Sequence, residues 1–336
     1  MDGTILKYLD GATLGTSVSH CALTVFPVFA PHVSNEPEYL VMQEALDLGV
    51  LQITELSQGG SVPQLMAVNK GKSRILIVDG EQLIGAKQDR VVNTTILLAP
   101  ESKTVIPVSC TEHGRWNYSS REFQSTDYAM SSDIRKKKMR SVSESLKHKS
   151  TFESNQGEIW DEVANLNKKA GAQSSTGSMK DGFDAKKKDV EELINAFSIQ
   201  PHQRGVLVFI NGIVVGFEMI SREDAFQKLY SKLLRSYAMD AILLTQRPSH
   251  RSTISTVANA FIAGIRNCNA ESYPSVGLGV DYRFSGNGKI GSGLVVENIP
   301  VYLAFYTTEE EPTRPHNEGQ MAEFRNRRAH AMRRNP

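Results

Sequence analysis

"GVLVFINGIVVGFEMI", residues 205–220, decides the fold class, because two β-branched runs meet there at Asn211-Gly212. Asn and Gly tolerate the positive φ that a type I′ turn demands, so the stretch is expected to close as an antiparallel hairpin. The segment that follows, "SREDAFQKLYSKLLRSYAMDAILL" (221–244), carries an apolar stripe at Phe226, Leu229, Leu233 and Leu234, and opens with Ser221 as a cap-like residue three positions before an acid. A hairpin followed by a long amphipathic helix that must bury its stripe predicts helices packed on a sheet.

Working towards the N-terminus, the first third of the chain reads mostly as strands. "HCALTVFPVF" (20–29) half alternates, and "VLQITEL" (50–56), "VPQLMAVNK" (62–70), "SRILIVDG" (73–80), "VVNTTILLA" (91–99) and "TVIPVSC" (104–110) are β-branched runs separated by Gly, Asn, Asp or Pro. Only "EPEYLVMQEALDLG" (36–49) has helical spacing, at Tyr39, Met42 and Leu46, with Gly49 placed to close it. Residues 131–150 bring a basic helix, "SSDIRKKKMRSVSESLKHKS", whose charges are expected on a solvated face, and "GEIWDEVANLNKKAG" (157–171) a second helix. "AQSSTGSMKDG" (172–182) reads as a mobile exposed connection before the helical "DAKKKDVEELINAF" (184–197). Towards the C-terminus "TISTVANAFIAGI" (253–265) is an apolar helix, and the strands "SVGLGVDYRF" (275–284) and "GLVVENIPVYLAFYT" (293–307) flank a turn at "SGNGKIGSG".

These elements predict an α+β fold, a mixed or largely antiparallel sheet with helices packed against it and a disordered basic C-terminal tail. A single domain is expected over residues 1–312, with a mainly helical, partly mobile insert at 130–200 and the tail at 313–336. With 336 residues and 40% hydrophobic side chains the chain can cover a substantial core. Its 38 Lys plus Arg against 37 Asp plus Glu leave no global field to attract nucleic acid or an anionic membrane, even with the basic helix and the tail arginines. The acidic opening lacks the order of a secretory signal, and the most apolar stretch is broken by Glu297, Asn298 and Pro300. Three dispersed cysteines without a CxxC pair argue against a disulfide framework and a zinc site. A cytoplasmic protein without a membrane span is the expectation; cofactor and oligomeric state stay open.

Two polar blocks carry the candidate chemistry. In "DGEQLIGAKQDR" (79–90), Glu81 is an acceptor, Gln82 and Gln88 are amides, and Lys87 and Arg90 are cations suited to phosphate or carboxylate. It has neither a GxGxxG nor a GxxxxGK[ST] phosphate loop, and a hairpin with a solvated polar tip is the bland alternative. In "VIPVSCTEHGRW" (105–116), alternation puts Cys110 on one face with Ile106 and Val108, so it reads as a buried thiol. A Cys110–His113 dyad has no recognised spacing, nor does a metal site drawn from Cys110, Glu112, His113, His20 and Cys21. Arg115 and Trp116 suit an anion and a stacked ring, or an aromatic anchor for a loop.

The stretches 38–56, 78–100 and 103–118 together resemble the protein family named for its association with ADP-ribosylglycohydrolase and rhodanese-phosphatase proteins; the block at 205–241 resembles it less closely, and the 130–190 insert and tail are not covered. The resemblance implies handling of ADP-ribose or an NAD-derived nucleotide, and it coincides with both polar blocks. The loops after "RILIV" and "TVIPVSC" are therefore expected to converge on one pocket, with Lys87, Gln88, Arg90, Arg115 and Trp116 binding a small nucleotide and no metal. The leading expectation is a binder or sensor. The alternative is a hydrolase of ADP-ribose or a phosphorylated ribose, with Glu81 and Glu112 as acid and base; a scaffold or nucleic-acid-associated protein is a further one.

Overall fold

A computed structural model of the chain describes residues 2–30, 33, 35–57, 60–244 and 254–308; the predicted tail at 313–336 lies outside them. The N-terminal part contains α1 (Gly3–Asp10), β1 (Thr13–Leu14), β2 (Val18–His20), β3 (Leu23–Phe29), β4 (Tyr39–Val41), α2 (Met42–Asp47), β5 (Leu51–Glu55), β6 (Gln64–Asn69) and β7 (Arg74–Ile77). β8 (Glu81–Gly85), β9 (Arg90–Val92), β10 (Ile96–Leu98), β11 (Ser102–Cys110) and β12 (Phe123–Ala129) follow. Then come the helices α3 (Ser132–Lys149), α4 (Gln156–Ala170), α5 (Met179–Ala185) and α6 (Lys187–Ile194). The remainder is β13 (Gln203–Ile210), β14 (Ile213–Ile220), α7 (Glu223–Leu243), α8 (Ile254–Ile265), β15 (Asn269–Pro274), β16 (Val280–Gly286), β17 (Lys289–Val296) and β18 (Ile299–Thr307).

The fold is α+β with largely antiparallel sheets. The Asn211-Gly212 hairpin forms as expected, with φ of 51° and 78°, and lies inside a nine-stranded sheet of order β1-β3-β13-β14-β18-β17-β16-β15, with β2 also on β3. Both faces of this sheet are covered, which explains the unbroken apolar run of β13. Val206, Val208 and Ile210 face the helices α3 to α7, while Leu207 and Phe209 pack with α1 and α8. No helix among the described residues is long and apolar enough to cross a membrane. The strands from the first third make two smaller sheets, β12-β8-β9-β11-β6-β5 and β10-β7-β4. The larger of these curls until β12 touches β5, and encloses a core of Leu51, Ile53, Leu83, Val92 and Val108.

Several segments depart from the expectations, each because tertiary pairing outweighs local pattern. Tyr39–Val41, expected in a helix, is a strand parallel to β7, leaving a helix of only six residues that Gly49 follows at φ 67°. The run 91–99 splits at Asn93–Thr95, because these side chains are recruited elsewhere: Thr95 Oγ1 accepts from Asp79 N and Thr94 Oγ1 donates to Asp281. The run 293–307 turns back at Glu297-Asn298, whose φ values are 53° and 61°, and β15 was not foreseen. The N-cap of α7 is Arg222, while Ser221 Oγ meets Tyr39 OH at 3.1 Å.

The basic helix α3 is the largest departure. Arg135 and Lys138 are fully buried, not solvated. Arg135 donates to both carboxylate oxygens of Glu218 at 2.9 and 3.0 Å, and Tyr237 and Tyr302 donate to the same carboxylate at 2.7 and 2.6 Å. Burial works against this carboxylate's charge, but Arg135 prevails and holds Glu218 below the ordinary range. Lys138 is bonded to Asp79 and to the carbonyl of Val92, and burial still pulls its ammonium below the usual lysine value. The helix thus joins the curled sheet to the large one by charge. Gly80 makes room for it, since a Cβ there would stand 2.5 Å from Arg135 Nε.

Candidate functional site

The two polar blocks meet at one end of the curled sheet. β9 pairs with β11 so that Arg90 stands opposite Cys110, and with β8 so that Arg90 stands opposite Leu83. Facing pairs point the same way, so Arg90 and Cys110 continue the inward face that carries Leu83, Val92 and Val108. The block at 79–90 is therefore not a solvated tip. It is a strand and a tight turn, with Gly85 at φ 120° and Ala86 at φ 40°, and both Lys87 and Gln88 are buried.

Arg115 bolts the two blocks together. Its Nε donates to both oxygens of Glu112 at 2.9 and 3.0 Å; Nη1 reaches the carbonyls of Ala86 and Asn117 at 2.6 and 3.0 Å; Nη2 reaches Glu112 Oε2 at 2.6 Å and Asp89 Oδ1 at 3.1 Å. All three guanidinium nitrogens are engaged by the protein itself. Glu112 also accepts from Asp89 N at 3.0 Å. Against the effect of burial, these donors keep the Glu112 carboxyl below its ordinary value, whereas burial and the Glu112 charge push Asp89 up. The 172–182 segment is part of the same assembly and not an exposed connection. Ser178 Oγ donates to Asp89 at 3.0 Å, Gly114 N to the Thr176 carbonyl at 2.6 Å and Met179 N to the Thr111 carbonyl at 2.9 Å.

Cys110 is fully buried, and its Sγ lies 3.0 Å from Gln88 Oε1 and 2.9 Å from the Glu112 carbonyl. Burial raises its pKa more than neighbouring Arg90 lowers it, so the group stays a thiol at neutral pH. The Gln156 amide extends the strand pattern by accepting from Cys110 N and donating to Cys110 O at 2.7 and 2.8 Å. His113 sits edge-on to Trp160 at 4.6 Å. Among the described residues no group of three or more His, Cys, Asp or Glu side chains is placed to hold a metal ion.

Beneath this bolted rim lies a cluster of buried charged side chains. Arg90 uses only Nη1, towards Gln88 Oε1 at 3.2 Å, the Asp89 carbonyl at 3.4 Å and Cys110 Sγ at 3.5 Å. Its Nε and Nη2 have no hydrogen-bond partner, although the residue is fully buried. Glu55, the last residue of β5, comes within 4.0 Å of Nη2 without bonding to it. Its Oε1 accepts from Lys87 N at 3.4 Å and its Oε2 from nothing. Trp116 and Tyr118, 43% and 51% exposed, form the outer edge, and Lys87 Nζ lies 5.2 Å from the centre of each ring. Arg90 is 5.8 Å from the centre of the Trp116 ring. Gly60, at φ 76°, closes in from the β5–β6 loop; a Cβ there would stand 3.1 Å from Lys87 Cδ, 3.3 Å from Trp116 and 3.5 Å from Glu55 Oε2.

Of the expected residues, Lys87, Gln88, Arg90, Glu112, Arg115 and Trp116 are brought together. Glu81 is not among them. It begins β8 where Gly85 ends it, about 13 Å along an extended strand, and it accepts from Val78 N and from Lys232 on α7, both at 2.8 Å. Glu55 and Tyr118 were missed. A signal for Glu55 was present: in "LQITE" it shares the inward face of Leu51 and Ile53, where a charge is out of place. Three surface cavities, of about 510, 610 and 460 Å³, lie beside Lys228, Arg222 and Ile262 respectively, and none is lined by either polar block. In the first, Lys228, Lys232 and Arg235 are all paired with glutamates.

No curated protein matches the chain, and no solved structure does. A family model matches residues 11–306, so the likeness runs through the helical insert that the sequence blocks left uncovered. Because that match spans most of its length, the chain belongs to the family of the ARG and Rhodanese-Phosphatase-superfamily-associated Protein domain.

Proposed function

We propose that the protein binds a small phosphorylated, ring-bearing ligand of the ADP-ribose or NAD-derived nucleotide class at the Lys87–Arg90–Trp116 end of the curled sheet. One observation carries this reading: the buried Arg90 guanidinium has two nitrogens without partners. Buried N–H groups are nearly always satisfied, and the Nε–Nη2 edge of arginine is a two-pronged donor matched to phosphate. Lys87 adds charge beside it, and the exposed portions of Trp116 and Tyr118 offer a surface on which a base can stack. In this reading Arg115 and Glu112 hold the two loops in place and leave the ligand to Arg90 and Lys87.

Thermal unfolding with ADP-ribose, NAD, AMP and ribose 5-phosphate tests it. A ligand bound only by the folded state adds about 2.7 kcal/mol at roughly a hundredfold excess over Kd, and replacing Trp116 with Ala should remove most of that response. Absence of any shift from all four compounds would sink the proposal. A second reading, hydrolysis of the bound compound, is favoured by the unpartnered Oε2 of Glu55, because Glu81 and Glu112 are taken up by Lys232 and Arg115. Release of ribose 5-phosphate or AMP from a stabilising ligand distinguishes the two.

A further inference from the structure

Within the nucleotide reading, on which this inference rests, Glu55 Oε2 is left without a partner, and its placement calls for one. It ends a strand whose other inward residues, Leu51 and Ile53, are core. Its side chain is 3% exposed and forms a loose ion pair, 4.0 Å long, with a buried guanidinium, yet no hydrogen bond joins the two. Elsewhere in the molecule buried carboxylates close onto their cations: Glu218 on Arg135 at 2.9 Å, Asp281 on Arg283 at 2.6 Å, Glu81 on Lys232 at 2.8 Å. At Glu55 and Arg90 both an acceptor oxygen and a donor edge are left over in one buried cluster, just beneath the exposed rings of Trp116 and Tyr118.

We infer that Glu55 is the specificity residue of this site, accepting a hydrogen bond from a sugar hydroxyl of a ligand whose phosphate sits on the free edge of Arg90. The leftover groups dictate the chemistry. Arg90 Nε and Nη2 call for acceptor oxygens, which an anion supplies best, and Glu55 Oε2 calls for an O–H or N–H donor, so a ligand that completes both carries both within a few ångströms. A ribose phosphate does. A bare phosphate leaves the carboxylate unsatisfied and adds a second negative charge beside it, which costs affinity in a low-dielectric site. A zwitterionic amino acid such as glycine also offers an acceptor and a donor, but it has no ring to stack on Trp116 and Tyr118, so it should bind more weakly. Gly60 fits this assignment, because any side chain there would crowd Lys87, Trp116 and the free oxygen of Glu55 together.

The experiment is isothermal titration of the full-length protein with AMP, 2′,3′-dideoxy-AMP, inorganic phosphate and glycine, repeated on Glu55→Gln. In the unaltered protein AMP should bind about ten- to a hundredfold more tightly than its dideoxy analogue, the ratio expected for a hydrogen bond to a charged acceptor. Glu55→Gln should shrink that ratio several-fold, because the amide oxygen is an uncharged and weaker acceptor for the hydroxyl, while loss of the carboxylate charge leaves the dideoxy analogue bound at least as tightly as before. Equal binding of AMP and dideoxy-AMP by the unaltered protein would overturn the role of Glu55 while leaving the nucleotide site standing, and it needs no variant to fold. Phosphate or glycine binding as tightly as AMP would overturn it too. If neither nucleotide binds, and ADP-ribose and NAD do not either, the site reading itself falls. Turnover of a bound nucleotide that Glu55→Gln abolishes without changing its affinity would make the carboxylate a catalytic group and overturn the specificity role.

Discussion

Two buried glutamate–arginine pairs in this protein are built to opposite plans. In the middle of the molecule Arg135 grips both oxygens of Glu218, and two tyrosines fill the carboxylate's remaining acceptor sites. At the end of the curled sheet Arg90 and Glu55 are just as buried but stop 4.0 Å apart, each with unused hydrogen-bonding atoms. Removing charges from water costs several kcal/mol per ion, and only close geometry with every lone pair and proton engaged offsets it. The first pair meets that condition at every atom but Arg135 Nε, and fastens α3 between two sheets. The second does not, and a fold tolerates such a place most readily where something from outside completes it.

The largest expected difference between the two regions is in stability. Replacing Arg135 with Met strands Glu218 in the interior and should cost about 3–5 kcal/mol in urea denaturation; a loss under about 1 kcal/mol would mean that the pair is not closed in solution.

Next comes a pH effect confined to the closed region. Asp240 accepts from Ser132 Oγ and Asp133 N at the start of α3, and burial raises its pKa from 3.8 to about 6. A raised folded pKa means that the folded state holds the proton more tightly. Its contribution is therefore complete below pH 3.8 and lost as the pH climbs through about 6. The stability difference between the unaltered protein and Asp240→Asn should shift by about 3 kcal/mol across that window, measured as denaturation midpoints at each pH. A flat difference would contradict the burial of Asp240.

Glu55→Gln should cost about 1 kcal/mol or less, since no short hydrogen bond is broken. A loss as large as that of Arg135→Met would erase the distinction between the pairs. Smallest is Trp116→Ala, about 0.5–1 kcal/mol from the loss of cation–π contact, with a much larger effect on ligand response than on the melting temperature.

How much of this was legible beforehand differs by residue. The Asn211-Gly212 hairpin, the helix after it and the inward face of Cys110 could be read directly, because each depends on neighbours within a few positions. Lys87, Arg90, Glu112, Arg115 and Trp116 could be nominated by type, but their division of labour could not. Arg115 and Arg90 look equivalent in a string of letters; the turn at Gly85–Asp89 surrounds one with carbonyls and carboxylates, and the strand register turns the other inward. Glu81 was nominated with the rest and went to Lys232, a residue 151 positions away. Arg135 and Lys138 sit in a run of basic residues that resembles any solvated face.

From the sequence alone came the α+β class, the strong turn, the inward direction of strand residues and the family. These are set by local sterics and by the two- and 3.6-residue periodicities that separate buried from exposed faces. Tertiary structure alone decided which charges are spent on holding the protein together and which remain available. Pairing is a matter of ångströms between segments far apart in the chain, and no pattern within either segment encodes that distance.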